Sequence, residues 1–144
     1  MEDGTDPGRY IIDDVDASVI VMAETGGVPI NGSTKMQLAF FLMADDLPGF
    51  AGQVAFVPHR LGPYSEVIAN RCAVLAGEGA IRDDGGTISL TDLGASLYEG
   101  AGARLDAKYL VAIDVYKKMM NPMEHDMLLA YIYLMYPNMS YRSD

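Results

Sequence analysis

The sequence predicts a single, mostly helical α+β domain, and two observations support this prediction. In most of the chain, apolar residues recur every three or four positions, which is the spacing of one helix face. In residues 81–90, apolar and polar residues instead alternate around a glycine-containing turn, as they do in a β-hairpin. With 144 residues, of which 50% are hydrophobic, the chain is long enough to bury one core.

The first predicted helix has Val15, Val19 and Met22 on one face and ends at Gly26-Gly27. Acidic residues stand at its start, where negative charge suits the positive end of the helix dipole. The sequence therefore predicts a helix from about residue 13 to residue 25.

The second predicted helix begins near Thr34, because the segment from Thr34 to Gln37 fits a capping box. Residues 36–43 are apolar apart from Gln37, so we expect this helix to be the most buried element. The polar and proline-containing segment 45–49 ends it. Residues 50–64 are predicted to be irregular, with a short strand near 54–58.

Ser65 is predicted to cap a third helix, which the glycines at 77 and 79 end. The Gly62-Pro63 turn before it fixes how the chain enters the helix, a structural task that needs no ligand. The inner face of this helix consists of apolar residues at helical spacing: Ile68, Cys72 and Leu75, joined by Val67 and Val74.

The hairpin covers residues 81–90 and turns at an Asp-Asp-Gly-Gly segment, residues 83–86. Thr91 or Asp92 caps a short helix that extends through Tyr98 and ends in the segment 100–102. Two further helices follow, separated at Asn121-Pro122. Their predicted inward stripes are Leu105, Tyr109, Ile113, Tyr116 and Met120 in the first, and Met127, Leu128, Tyr131, Leu134 and Met135 in the second.

A helix followed by a hairpin with a glycine tip is the order of elements in the second half of a winged-helix domain. The predicted fold is therefore a winged-helix-like core with a β-hairpin wing and two additional C-terminal helices, at about 103–136. The domain is expected to span 13–144, after a flexible acidic leader at 1–12. About twenty residues separate the second and third helices, whereas a helix-turn-helix uses a turn of about 3–4 residues.

Four segments together resemble the YwgA-type family, a group of small prokaryotic proteins with a winged-helix-like core. These segments are residues 29–37, 61–66, 79–81 and 90–94, and the resemblance extends over about residues 15–141. The Gly-Pro-Tyr-Ser sequence at 62–65 is its most recognisable part. The resemblance implies the fold and brings no known activity.

The net charge of −10 disfavours a strong nucleic-acid binder. Half of it falls within residues 1–16, which hold six acidic residues and one arginine, and no run of basic residues occurs anywhere. No window approaches the roughly 18 apolar residues of a membrane span, so no membrane partner is expected. The single cysteine, Cys72, is expected to be a small core side chain, and a cytoplasmic location is predicted.

Two classes of binding function remain open. If the third helix reads duplex DNA, Asn70 and Arg71 are the base-reading candidates, and Lys35, His59 and Arg60 can supply a positive rim. Against this, the hairpin tip carries Asp83 and Asp84, which have the wrong sign for contact with phosphates. The alternative is that this face is an ordinary solvated surface.

The other class is protein contact, either with a second copy as a homodimer or with an unknown protein. The last two helices are rich in methionine and tyrosine, which are enriched at the cores of interfaces. The candidate interface residues are Tyr109, Tyr116, Tyr131 and Tyr133. The alternative is that these helices simply pack on the winged-helix core.

No catalytic residue, metal site or cofactor is predicted. His59 and His125 are the only histidines, and the neighbours in Glu124-His125-Asp126 point apart on a helix. No phosphate-binding glycine-rich loop occurs. The expected function is a non-enzymatic regulatory binding module of the DNA-binding, transcription-regulator type. The alternative is a protein-interaction or homodimerisation module that does not bind DNA.

Overall fold

The computed structural model describes residues 13–140, and within them the chain is α+β and mostly helical, as predicted. Residues 1–12, predicted to be a flexible acidic leader, lie outside the described residues, as do 141–144. The elements in chain order are α1 Asp14–Glu24, α2 Ser33–Asp46, α3 Pro48–Val54, β1 Phe56–Val57, β2 Tyr64–Ser65, α4 Glu66–Gly77, β3 Ile81–Asp83, β4 Ile88–Leu90, α5 Asp92–Arg104, α6 Ala107–Met120 and α7 His125–Met135.

The strands form two small antiparallel pairs, β1 with β2 and β3 with β4. Between α1 and α2 the chain also reaches the second pair. The Ile30 amide donates to the Ile88 carbonyl at 3.0 Å, and the Ile88 amide returns a bond to the Ile30 carbonyl at 2.8 Å. The predicted hairpin at 81–90 is thus confirmed, and it carries a third, one-residue neighbour.

The core is built around α1 and α2. All residues from Val15 to Ala23 in α1 and from Lys35 to Ala44 in α2 are buried. The prediction that α2 is the most buried element is wrong: ten of its 14 residues are buried, whereas nine of the 11 residues of α1 are. α1 packs against α4, α5 and α6, and α2 packs against α6 and α3, so both helices are enclosed on several sides.

The predicted capping box at the start of α2 is wrong. The helix begins at Ser33 with Gly32 as its N-cap, and no side chain caps it. Gln37 bonds instead to the backbone of Ser65: its Nε2 donates to the carbonyl at 2.9 Å, and its Oε1 accepts from the amide at 2.8 Å. The Gln37 side-chain amide, which the local pattern assigned to a helix cap, therefore bonds to a residue that is distant in the sequence.

The prediction that residues 50–64 are irregular is wrong for residues 50–54, which belong to α3 Pro48–Val54. Pro48 stands in the first turn, where its missing N–H costs nothing. Phe50 and Val54, four residues apart, are fully buried. A helix of seven residues has too few apolar positions for its period to stand out in the sequence.

Two predictions about the C-terminal half also need correction. The helix capped by Thr91 runs through Gly100 to Arg104, because Leu97 and Ala101 are buried on the α5 face that packs against α1. In α7 the buried residues are Leu128 and Ile132. The rest of the predicted inward stripe is exposed: Met127, Tyr131, Leu134 and Met135.

The third predicted helix corresponds to α4, and most of what was predicted for it is confirmed. Ser65 is its N-cap, since the hydroxyl accepts a hydrogen bond from the Ile68 amide. Ile68 and Leu75 are buried and Cys72 is half-buried, whereas Val74 is exposed. The helix therefore presents a narrow apolar face to the core and leaves much of its surface open.

Candidate functional site

Lys35, a predicted DNA contact, is buried rather than displayed. Its Nζ donates to the carbonyls of Asn121 and Met123, between α6 and α7, and burial lowers the pKa of the ammonium group. Lys117 on α6 makes a matching pair of bonds to the carbonyls of Thr25 and Val28, between α1 and α2. We call these two side chains the lysine pair. Lys35 on α2 binds the loop that follows α6, and Lys117 on α6 binds the loop that precedes α2.

Arg71, a predicted base reader, faces α1. Its Nε and Nη2 donate to the two carboxylate oxygens of Asp16 at 2.6 and 2.8 Å. Asp16 is buried, with 2% of its side chain exposed, so the arginine compensates a carboxylate that the core would otherwise disfavour. This bidentate pair ties α4 to α1.

The other three predicted DNA contacts lie nearer the surface. His59 is half-buried and stacks on Tyr64, with ring centroids 5.0 Å apart, and Arg60 beside it is exposed. Asn70 is exposed on α4. The structure thus brings His59 and Arg60 together in one loop and turns Lys35 and Arg71 inward.

The tip of the β3–β4 hairpin carries two carboxylates that are held in place by hydrogen bonds from the turn backbone. Asp83 Oδ1 accepts from the Gly85 amide, and Asp84 Oδ1 accepts from the amides of Gly86 and Thr87. These backbone donors lower the pKa of Asp84, since they favour the charged carboxylate. Both carboxylates therefore stay close to the turn.

The predicted interface tyrosines divide between internal contacts and the surface. Tyr109 packs edge-on against Phe50, and the Tyr116 hydroxyl donates to Asp46. Tyr133 is half-buried. Tyr131 is 44% exposed.

Tyr131 belongs to an exposed apolar stripe on α7, which we call the outer face of α7. It consists of Met127, Tyr131, Leu134 and Met135, with exposed fractions between 44% and 79%. Residues 127–140 include no charged residue. This surface is therefore both apolar and free of charges contributed by its own segment.

A cavity of about 330 Å³ lies along α4, and we call it the α4 groove. It is bounded by α4, the first turns of α2, the loop before β2, and β3. The predictions missed this site, although alanines recur at positions 69, 73 and 76 of α4. Its lining is mostly apolar: Met36, Leu61, Pro63, Tyr64, Ile68, Ala69, Cys72, Ala73, Ala76 and Ile81, with Ser33, Thr34, Gln37, His59, Gly62 and Asp83.

The Gly-Pro-Tyr-Ser segment forms one wall of the α4 groove. Gly62 has a φ of 112°, and a Cβ there would come within 2.7 Å of Leu38 and 2.9 Å of Leu129. Glycine is required for both reasons, backbone conformation and close packing. Ser65, at the other end, is buried and bonds to Val54 and Gln37, so this wall is firmly held.

Cys72, the thiol that lines the α4 groove, is not a reactive nucleophile. Burial raises the pKa of the Cys72 thiol to about 12, and the nearby charges of Asp83 and Asp16 act in the same direction. A thiol in this state is protonated at neutral pH and unreactive. Among residues 13–140, no cluster of three or more His, Cys, Asp or Glu side chains has the arrangement of a metal site.

No helix in the described part of the chain is long and apolar enough to cross a membrane. No protein-family model matches the sequence, and no curated protein matches it significantly. The resemblance to the YwgA-type family and the cytoplasmic location therefore stay predictions.

Proposed function

We propose that the chain is a non-enzymatic binding module with a winged-helix-type core, and that its partner is protein rather than DNA. The order of elements supports the winged-helix assignment. A strand position at Ile30 follows α1 and pairs with β4, and α2, α4 and the β3–β4 hairpin come in the order of a winged helix.

The outer face of α7 is the observation on which the protein-binding proposal rests. Four large apolar side chains that lie on one helix face, three of them about half exposed or more, are costly in water. Methionine and tyrosine, which make up three of the four, are enriched at the cores of protein interfaces.

A second copy of this chain is the partner that we propose for this face. Each molecule carries a net charge of −10, so two copies repel one another over most approaches. Because residues 127–140 carry no charge, contact through the outer face of α7 brings apolar surface together without pairing like charges from that segment. The result is a homodimer with α7 against α7.

DNA is less well supported as a partner. Lys35 and Arg71 are engaged inside the domain, and Asp83 and Asp84 occupy the hairpin tip that would approach phosphates. Two of the predicted DNA contacts, the rim residue Lys35 and the base reader Arg71, are thus occupied within the domain, which weakens the electrostatic source of affinity for a duplex.

Sedimentation equilibrium tests the proposal, with Leu134→Glu as the disruptive variant. Leu134 is 79% exposed, so the charge should leave the monomer folded while opposing association across the face. The matched control is Leu93→Glu, at an exposed leucine on α5 outside this face. We expect the native chain and the control to dimerise and Leu134→Glu to sediment as a monomer.

A native chain that stays monomeric at high micromolar concentration would overturn the homodimer. Binding to random-sequence duplex DNA, with affinity that falls steeply as salt rises, would overturn the preference for protein over DNA. Both measurements use the full chain.

A further inference from the structure

We propose that the α4 groove binds a small apolar or aromatic amine, that is, an organic cation with a hydrophobic body. This goes beyond dimerisation, because the groove and the outer face of α7 share no residue. The volume of the groove, the Asp83 carboxylate and an aromatic wall support this ligand class.

The volume and lining of the groove suit a small molecule. About 330 Å³ lies at the lower end of the range in which proteins bind small ligands. Its floor includes the buried side chains of Met36, Ile68 and Ile81. The alanines of α4 leave the groove open, because no long side chain from that helix fills it.

Within the described part of the chain, Asp83 is the only Asp, Glu, Lys or Arg side chain that lines the groove. No lysine or arginine among residues 13–140 contributes to the lining. Asp83 Oδ1 accepts from the Gly85 amide, and within the described residues Oδ2 has no hydrogen bond or ion pair. A carboxylate with a free oxygen beside apolar surface selects for a positively charged group.

The aromatic wall points to the same class of ligand. Tyr64 and His59 both line the groove, and their rings are stacked at an interplanar angle of 25°. The face of an aromatic ring attracts an ammonium group and also packs against an aromatic body.

Cys72 lines the groove, but its thiol is too unreactive to bond covalently to a ligand, so the proposed binding is reversible. Burial is the main cause of the raised pKa of Cys72, and the charge of Asp83 acts in the same direction. A protonated thiol does not attack a ligand, and it packs as a small apolar group.

Isothermal titration calorimetry of the full chain tests this with three probes that share a phenyl group: 2-phenylethylamine, 2-phenylethanol and 3-phenylpropionate. We expect the amine to bind most tightly and the carboxylate most weakly. Asp83→Asn should weaken the amine about fivefold, the upper range for an exposed ion pair, and leave the alcohol unchanged.

Asp84→Asn is the matched control, since Asp84 is the neighbouring carboxylate of the same turn and does not line the groove. It should leave all three affinities unchanged. Ala73→Phe, which fills the groove, should abolish binding of the amine and of the alcohol. Thermal unfolding of each variant checks that it is folded.

Three results would overturn the proposal. The first is no heat from 2-phenylethylamine up to about 10 mM. The second is equal binding of the amine and the carboxylate. The third is an amine affinity that Asp83→Asn and Asp84→Asn change alike.

Discussion

α2 and α7 are both rich in apolar residues, yet they are buried very differently. Eight of the 14 residues of α2 are apolar, and so are nine of the 11 residues of α7. In α2 the whole segment from Lys35 to Ala44 is buried, whereas in α7 only Leu128 and Ile132 are. Apolar content therefore does not determine burial here; the number of elements that surround a helix does.

The comparison also separates two uses of an apolar side chain. In α2, such residues are enclosed by neighbouring helices and stabilise the fold. In α7, one stripe stabilises the fold, and the outer face is exposed, which is the surface that we propose for a partner. Substitutions on each surface should therefore change different measured quantities.

The largest effect is expected from Phe40→Ala in α2. Phe40 is fully buried and packs on Phe50, with ring centroids 5.4 Å apart. Loss of the ring should lower the free energy of unfolding by about 4 kcal/mol, through lost burial and the cavity left behind. Urea denaturation followed by circular dichroism measures this.

Ile132→Ala should show that the inner stripe of α7 belongs to the same core. Ile132 is fully buried, so we expect a loss of about 3 kcal/mol. A loss below about 0.5 kcal/mol would mean that α7 is only loosely docked on the core, so that even its inner stripe differs from α2.

Lys35→Met tests the connection between α2 and the segment that leads into α7. The substitution leaves the carbonyls of Asn121 and Met123 without their donor but removes a buried charge. These effects oppose each other, and we expect a net loss of about 1 kcal/mol. An increase in stability by denaturant titration would show that burial of the ammonium group outweighs its hydrogen bonds.

The smallest effect on folding is expected from Leu134→Ala on the outer face of α7. Because Leu134 is 79% exposed, the monomer should change by no more than about 0.5 kcal/mol. Unfolding should be followed at low protein concentration, where association does not contribute. A loss as large as that of Ile132→Ala would mean that the outer face is packed within the monomer.

Elements whose signals lie within a few residues were predictable from the sequence. Ser65 and Thr91 cap their helices as expected, because a hydroxyl reaches an amide three residues ahead in either case. The hairpin was predictable from the Asp-Asp-Gly-Gly turn and the alternation around it. Such features need no knowledge of distant partners.

Features that depend on distant partners were not predictable. Gln37 satisfies a local capping pattern, yet its amide bonds to Ser65, 28 positions away. Arg71 pairs with Asp16, 55 positions away, although its place on α4 suggested an outward direction. In α7 the periodicity fits two faces, and only the packed neighbours decide which one is buried.

The α4 groove could have been anticipated only in part. Alanines at helical spacing on α4 indicate a helix face with only small side chains. What turns that face into a cavity is the loop containing Gly62, whose contacts with Leu38 and Leu129 come from different parts of the chain. The placement of Asp83 at the groove depends on the hairpin as a whole.

The lysine pair allows local opening of the domain to be measured by chemical labelling. Lys35 and Lys117 are buried with their amines bonded to carbonyls, whereas Lys108 and Lys118 are exposed. An amine-acylating reagent should modify the exposed pair at once and reach the buried pair only when the loops beside them separate. The ratio of the two labelling rates, read by mass spectrometry, would therefore report how often the two loops come apart in the folded protein.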